Sequence, residues 1–187
     1  MKGVVFRALE DFIVENWGEA VYEEVLARCP VATPAGAYVG PESYPDGELY
    51  AIVDKTCEIL QVEPPVAVQA FGRFLYHRLA SLHPDFVRGY DSPAAVLRHI
   101  NPVIHVEVRK MMRDADPPRM YVQEREGGVL TLEYHSERKL CTLLRGLIDG
   151  LAESFGQRVE YRELSCSHHG APHCTFELRF AAMEAAA

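Results

Sequence analysis

Tyr134, Ser136 and Arg138 occupy alternate positions in the segment Tyr-His-Ser-Glu-Arg. Tyr134 is the last residue of the segment 128–134, in which apolar and polar side chains alternate, and this period of two predicts a β-strand. On an extended backbone the three side chains point to one face. A guanidinium and two hydroxyls on that face can bind an anion with several oxygen atoms, although the same pattern is also typical of a solvated strand face.

A histidine in an apolar setting is a second candidate. His105 lies in residues 103–112, whose pattern predicts a helix, and Val108 and Met112 share its face. A lone histidine there is often a core residue, but imidazole is also an axial ligand of heme iron. The helix predicted over 66–82 is apolar over a wide arc, as expected for deep burial or contact with a large apolar ligand. Together with the anion-binding strand face, these features describe a heme pocket.

Three cysteines form a third candidate site. Seven residues, including three histidines, separate Cys166 from Cys174, and Cys141 lies in the helix predicted over 139–155. Cysteines at the mouth of a hairpin, with one more from a neighbouring helix, suit a tetrahedral zinc site. The same thiols could instead oxidise reversibly to a disulfide, or be unrelated.

The order of the predicted elements indicates an α+β fold. A helical N-terminal region precedes a C-terminal antiparallel sheet packed on one long helix. The helices are predicted over 4–17, 19–28, 48–60, 66–82, 93–100, 103–112 and 139–155, and the strands over 119–126, 128–135, 157–165 and 174–180. We expect a single domain over 1–180, with a distal helical subdomain (1–62), a proximal subdomain that includes the sheet (63–180), and a disordered tail (181–187).

Composition and charge exclude several classes of protein. The net charge of −8 argues against a nucleic-acid partner, because phosphate binding needs a basic face. No stretch approaches the roughly 20 apolar residues of a membrane span, and no signal peptide is visible, so we expect a cytoplasmic protein. Five cysteines are an odd number, so disulfides are not the default expectation.

The combination of His105 with Tyr134-X-Ser136-X-Arg138 resembles the H-NOX (heme nitric oxide/oxygen binding) family, which includes the heme domain of soluble guanylate cyclase. The resemblance extends from Met1-Lys-Gly through Pro117-Pro118 to the long helix around Gly146. It implies an H-NOX fold that encloses a b-type heme. It further implies that His105 is the axial iron ligand, that Tyr134, Ser136 and Arg138 hold the propionates, and that Pro118 distorts the heme.

The resemblance also bears on which gas is bound. Family members that bind O2 place a tyrosine early in the long helix, and the matching position here is Leu143. Leu9 and Leu75 match other distal positions, and Phe74 adds to this apolar pocket. O2 without a hydrogen-bond donor loses about 1.5–3 kcal/mol of binding free energy, whereas NO and CO need the donor far less. We therefore expect binding of NO and CO without O2.

Signalling in this family implies release of the histidine. NO weakens the bond opposite it, so the resemblance implies a five-coordinate nitrosyl with His105 released and its helix free to shift. We expect no attached kinase or cyclase, and therefore a non-catalytic sensor that acts on a separate partner, which the resemblance implies is a histidine kinase or a cyclic-di-GMP enzyme.

The resemblance extends to the cysteines. Some H-NOX sensors carry zinc on three cysteines and a histidine, and that histidine falls at Glu163 here. The fourth ligand to Cys141, Cys166 and Cys174 would then be Glu163 or a loop histidine such as His169.

The sequence is also compatible with two functions other than gas sensing. The Cys166–Cys174 hairpin with Cys141 also resembles the V4R domain, which would bind a small organic ligand without heme. A heme peroxidase is a third hypothesis, but the expected distal pocket lacks the His or Arg that acid–base catalysis needs.

Overall fold

The computed structural model describes residues 1–183, which contain seven α-helices and four β-strands. The helices are α1 (Gly3–Trp17), α2 (Glu19–Arg28), α3 (Asp46–Leu60), α4 (Pro64–Leu82), α5 (Pro93–His99), α6 (His105–Met111) and α7 (Cys141–Ser154). A π-helical turn, Ile100–Ile104, joins α5 to α6. The strands are β1 (Arg119–Glu124), β2 (Leu130–His135), β3 (Gln157–Ser165) and β4 (Cys174–Ala182).

The strands form one antiparallel sheet in the order β1-β2-β4-β3. Alternate residues of the central strand β2 point to the same face of the sheet and are buried there: Leu130, Leu132 and Tyr134. This face of the sheet is therefore the one that packs in the core. Phe176 and Leu178 of β4 are buried in the same core. The predicted α+β fold with a C-terminal antiparallel sheet is therefore confirmed.

The ends of several elements differ from the prediction. α3 begins at Asp46, and the helix expected over 103–112 is preceded by a π-helical turn that the apolar period did not reveal. β4 continues to Ala182 because it pairs with Gln157 at the start of β3, so the predicted tail begins too early. The rest of that tail, residues 184–187, lies outside the described residues.

α4 is the longest of the described helices, and it is buried over a narrower arc than its apolar residues predicted. Phe71 and Leu75 are buried, while Val66 near its start is 66% exposed. Among residues 1–183, no helix has both the length and the apolar character needed to cross a membrane.

Two apolar cores meet at α7. Leu143 packs with the buried residues of α1 to α4, in a core that includes Phe6, Ile13 and Leu75. Leu144 and Ile148 pack instead with the sheet and α5. α7 therefore connects the helical region of the chain to the sheet. The division at residues 62 and 63 falls just before α4, whose buried side chains join the helical core, and that division remains a prediction.

Glycines allow α4 and α7 to pack with their backbones in contact. A Cβ added at Gly146 would overlap the carbonyl oxygen of Gln69, and one added at Gly72 would overlap that of Leu143. A Cβ at Gly150 would lie 2.8 Å from the carbonyl oxygen of Arg73, also too close. Because the obstructing atoms belong to the backbone, a larger side chain can be accommodated only if the helices separate.

Replacing Gly146 by alanine should therefore destabilise the protein. The overlap should outweigh the better helix propensity of alanine, with a net cost of about 1–3 kcal/mol in the free energy of unfolding. Urea unfolding of Gly146→Ala measures this cost. Gly47→Ala in α3 is the matched control, since a Cβ there meets nothing within 4 Å, and it should be neutral or stabilise by up to about 1 kcal/mol. Equal stability of the two variants would contradict the packing argument.

Candidate functional site

A mainly apolar cavity of about 360 Å³ lies between α4, α6, α7 and the sheet. Its size is within the range of about 300–1,000 Å³ that is usual for ligand and cofactor pockets. The apolar walls include Val5, Leu75, Leu79, Phe86, Val96, Leu97, Ile100, Ile104, Val108, Met112, Leu144, Leu147 and Ile148.

His105 lies in the wall of this cavity as the first residue of α6. Its Nδ1 atom is buried and lacks a hydrogen-bond partner among residues 1–183. Burial, together with the charge of Arg109, lowers the pKa of His105 to about 4, although the backbone of Pro118 acts in the opposite direction. The imidazole is therefore neutral at neutral pH, the form in which it can bind a metal.

Pro117 and Pro118 precede β1 and also line the cavity. Both are half-buried, and the backbone of Pro118 lies near enough to His105 to influence its pKa. The structure therefore brings Pro118 to the same cavity as His105, whereas the expected distortion of a heme by Pro118 remains a prediction.

Tyr134, Ser136 and Arg138 all line the cavity as well. Tyr134 is only 4% exposed, which contradicts the interpretation as a solvated strand face. The expectation that one extended strand presents all three is wrong, because β2 ends at His135. Ser136 and Arg138 instead lie in the turn that leads to α7, so the turn rather than strand alternation brings them to the cavity.

Arg138 is held by two carboxylates. Its Nε donates to Oδ2 of Asp46 at 2.7 Å, and its Nη1 donates to the carbonyl oxygen and Oδ2 of Asp116 at 2.8 and 3.2 Å. The N-terminal amine of Met1 also donates to Asp46. Asp46 begins α3, so this cluster ties the helical region of the chain to the rim of the cavity. The sequence analysis missed Asp46 because nothing local marks a partner 92 residues away.

The four predicted distal residues separate into two groups. Leu75 and Leu143 line the cavity and are 3% and 7% exposed. Leu9 and Phe74 pack in the adjoining helical core, where the ring of Phe74 lies 5.4 Å from that of Phe12.

Two polar residues at α4 also face the cavity. Tyr76 lines it, but its hydroxyl lies 2.8 Å from Oγ of Ser154 at the end of α7. His83, which directly follows α4, lines it too, beside the ring of Phe86. The sequence did not mark His83 as a cavity residue, because it follows the last residue of α4, where the helical period no longer determines the direction of a side chain.

The three predicted cysteines come together as free, buried thiols. The Sγ atom of Cys166 lies 3.8 Å from those of both Cys141 and Cys174. Burial, together with the neighbouring thiols of Cys174 and Cys166, raises the pKa of Cys141 to about 12. The backbone N–H of Ser167 donates to Sγ of Cys174 at 3.3 Å.

Both candidates for a fourth ligand lie on one side of this cluster. A carboxylate oxygen of Glu163 and a ring nitrogen of His169 are within 4.8 Å of each other and of Sγ of Cys166. Glu163 is 38% exposed and His169 80% exposed, so either side chain is free to reorient.

The fold and the cavity define a domain in which apolar walls meet the neutral imidazole of His105 and the polar side chains of Tyr134, Ser136 and Arg138. Residues 2–163 match the Haem-NO-binding family. The chain therefore belongs to the H-NOX family, which binds heme.

Solved structures show the same fold. An H-NOX protein from Shewanella oneidensis in the Fe(II)NO ligation state is 34% identical, with a TM-score of 0.91 and coverage of 97% of this chain and 99% of that chain. An H-NOX domain from the same organism in the Fe(II)CO state is 34% identical at a TM-score of 0.88, with the same coverage. The Fe(II) unliganded protein from K. algicida, 22% identical at a TM-score of 0.88, covers 98% of each chain. No curated protein matches this chain.

These matches favour the heme-sensor interpretation over the V4R hypothesis. The family model covers most of the chain, including His105 and the Tyr134–Arg138 segment, and both belong to the cavity rather than to the cysteine hairpin.

The Asp46–Arg138 ion pair should make stability depend on acid pH. Burial raises the pKa of Asp46, but the Met1 amine and Arg138 outweigh it, so the net pKa lies below 3.8. The stabilisation is therefore complete above pH 3.8 and is lost as the pH falls through the lowered value. Asp46→Asn should cost about 1–2 kcal/mol at pH 7, and less as the pH falls below 3.8.

Urea unfolding at several pH values measures this difference. Asp54→Asn is the matched control, because Asp54 is an exposed carboxylate of the same helix. A constant difference between wild type and Asp46→Asn across the acid range would contradict the proposed ion pair.

Proposed function

We propose that the chain is a heme-based gas sensor that binds NO and CO, excludes O2 and has no catalytic activity of its own. The observation that carries the proposal is the half-buried, neutral imidazole of His105 in the wall of an apolar cavity that Tyr134, Ser136 and Arg138 also line. The related Shewanella oneidensis structures, in Fe(II)NO and Fe(II)CO states, support it.

The residues of the cavity fit a b-type heme. Heme supplies an iron atom that binds diatomic gases. His105 would be the protein ligand to this iron, because its neutral imidazole lies in the cavity wall. Arg138, already oriented by Asp46 and Asp116, would hold the propionates with Tyr134 and Ser136. Pro118 would press on the macrocycle from the cavity wall.

The apolar distal wall supports discrimination against O2. Leu75 and Leu143 offer no hydrogen-bond donor, and the hydroxyl of Tyr76 is occupied by Ser154. Bound O2 carries partial negative charge and would lack about 1.5–3 kcal/mol of hydrogen-bond stabilisation. Leu9 and Phe74 would support this wall from the adjoining core.

The absorption spectrum of the purified, reduced protein tests the proposal. We expect a Soret band that is unchanged in air and shifts to shorter wavelength with NO, as when the axial histidine is released. A stable O2 complex would overturn the gas selectivity. Absence of a Soret band after addition of heme would overturn the sensor itself.

Leu143→Tyr should create an O2 site. A phenol from this position would donate to bound O2, and the O2 affinity should rise by about tenfold to a hundredfold. Titration of the reduced protein with O2 measures this. Thr142→Tyr is the matched control, since Thr142 is the neighbouring residue and lies outside the cavity lining.

An unchanged O2 affinity in Leu143→Tyr would show that the distal pocket is misplaced. Tyr76→Phe and His83→Leu complete the experiment, because each removes a polar group from the cavity wall. Both variants should remain as unreactive towards O2 as the wild type.

α6 would transmit the signal. Each of its residues is half-buried or exposed, and the π-helical turn before His105 is a rare backbone form that is frequent at functional sites. Release of His105 would free α6 to move. A gas can shift the populations of two conformations only if it binds one of them more tightly, and the bond to His105, kept in one conformation and broken in the other, would supply that difference. The partner would be a separate cytoplasmic histidine kinase or cyclic-di-GMP enzyme.

The thiol cluster would hold structural zinc. Zn–S bonds of about 2.3 Å in a tetrahedron place sulfur atoms about 3.8 Å apart. Both measured Sγ separations from Cys166, to Cys141 and to Cys174, are 3.8 Å. The N–H of Ser167 would stabilise the thiolate of Cys174. Glu163 or His169 would complete the site.

Cys141→Ser should lose the zinc of this cluster. Metal analysis by mass spectrometry of protein dialysed in buffered zinc measures the loss. Cys57→Ser is the matched control, because Cys57 is as buried as Cys141 (5% and 4% exposed) but lies outside the cluster. Unchanged zinc in Cys141→Ser would contradict the site. Comparison of Glu163→Gln with His169→Asn identifies the fourth ligand.

A further inference from the structure

The outer face of the sheet carries a second group of metal-binding side chains. Glu133 and His135 lie on β2, and His173 directly precedes β4. Strand alternation places them opposite Tyr134 and Cys174, which pair with each other across β2 and β4 and face the interior. This outer cluster, Glu133, His135 and His173, is therefore separated from the thiols and the cavity by the sheet itself.

The ligand atoms of the three side chains lie close together. Oε2 of Glu133 lies 3.2 Å from Nε2 of His135 and 3.8 Å from Nε2 of His173. The two imidazole rings are stacked, with centroids 4.2 Å apart and planes at 25°. One ligand atom from each residue lies within 4.8 Å of the other two.

These separations suit a small divalent cation. Bonds of about 2.0–2.2 Å from zinc to nitrogen or oxygen place neighbouring tetrahedral ligands about 3.3–3.5 Å apart. The distances of 3.2 and 3.8 Å lie on either side of that value. Two imidazoles and one carboxylate are also donors that zinc, nickel and copper accept.

The surroundings leave the cluster accessible. The side chains of Glu133, His135 and His173 are 39%, 35% and 27% exposed, so a cation can enter from solvent. Tyr121 packs edge-on against His135, with ring centroids 5.4 Å apart, and restricts that imidazole. Arg119 is the cross-strand neighbour of His135, and its positive charge opposes the attraction of Glu133 for a cation.

We propose that Glu133, His135 and His173 form a second divalent-metal site, which takes zinc and leaves a fourth position to water. Bound zinc ties the end of β2 to the start of β4. His135 lies between Tyr134 and Ser136, so the metal also fixes the backbone that leads into the Ser136–Arg138 turn.

The sequence contains only a weak signal for this site. Glu133-X-His135 on an alternating strand places two ligands on one face, but His173 lies 38 residues beyond His135. Only the antiparallel pairing of β2 with β4 brings it close.

Zinc content of the heme-loaded full chain tests the proposal. Wild type, His135→Asn/His173→Asn and Cys141→Ser are dialysed against the same buffered zinc and analysed by mass spectrometry, with sulfur as the protein reference. The double histidine variant should lose one equivalent of zinc relative to wild type. Cys141→Ser should keep that equivalent, which separates this site from the thiol cluster.

His99→Asn is the matched control, since His99 is an exposed histidine on α5 outside the cluster. Equal zinc in wild type and the double variant would overturn the proposal, and so would an equal loss in His99→Asn. Glu133→Gln covers the case in which the double variant misfolds, because it keeps the side-chain shape. It should weaken this zinc at least about tenfold by removing a charged ligand, and unchanged affinity would again overturn the site.

Discussion

The backbones of α4 and α7 lie in direct contact, and the cavity depends on that contact. Gly72 and Gly146 place each helix against carbonyl oxygens of the other, so the distance between the helices is set by backbone atoms that cannot repack. α7 at the same time carries Leu143 into the helical core and Leu144 into the core of the sheet. The apolar walls of the cavity come from both helices, so its width follows from this spacing.

Desolvation determines the chemistry of the polar groups in the cavity. Burial makes the charged form of His105 unfavourable and leaves a neutral imidazole. Arg138 stays charged at the rim because Asp46 and Asp116 compensate its burial. These two groups match an apolar cofactor that has an iron atom and anionic substituents. The neutral imidazole of His105 is suited to the iron, and the positive charge of Arg138 is suited to the anionic substituents.

The sheet presents one face to the interior and a chemically different face to the outside. On the inner face, Tyr134 reaches the cavity and Cys174 joins the thiols, while His135 and His173 occupy the outer face. Adjacent residues thus serve different sites because side chains alternate along a strand. A single residue of register slip would exchange the two sets, so the pairing of β2 with β4 determines both faces.

The sequence by itself determined the fold class and the order of the elements, because hydrophobic period is a local property. A spaced motif and the resemblance to the H-NOX family predicted His105, Tyr134, Ser136 and Arg138 as site residues, and the same resemblance predicted Leu75 and Leu143 as distal residues. Only the tertiary structure decided that Asp46 holds Arg138, that His83 lines the cavity, that Leu9 and Phe74 lie behind it, and that His173 meets His135. These are contacts between segments distant in the chain, fixed by strand register and helix packing, and no local pattern encodes them.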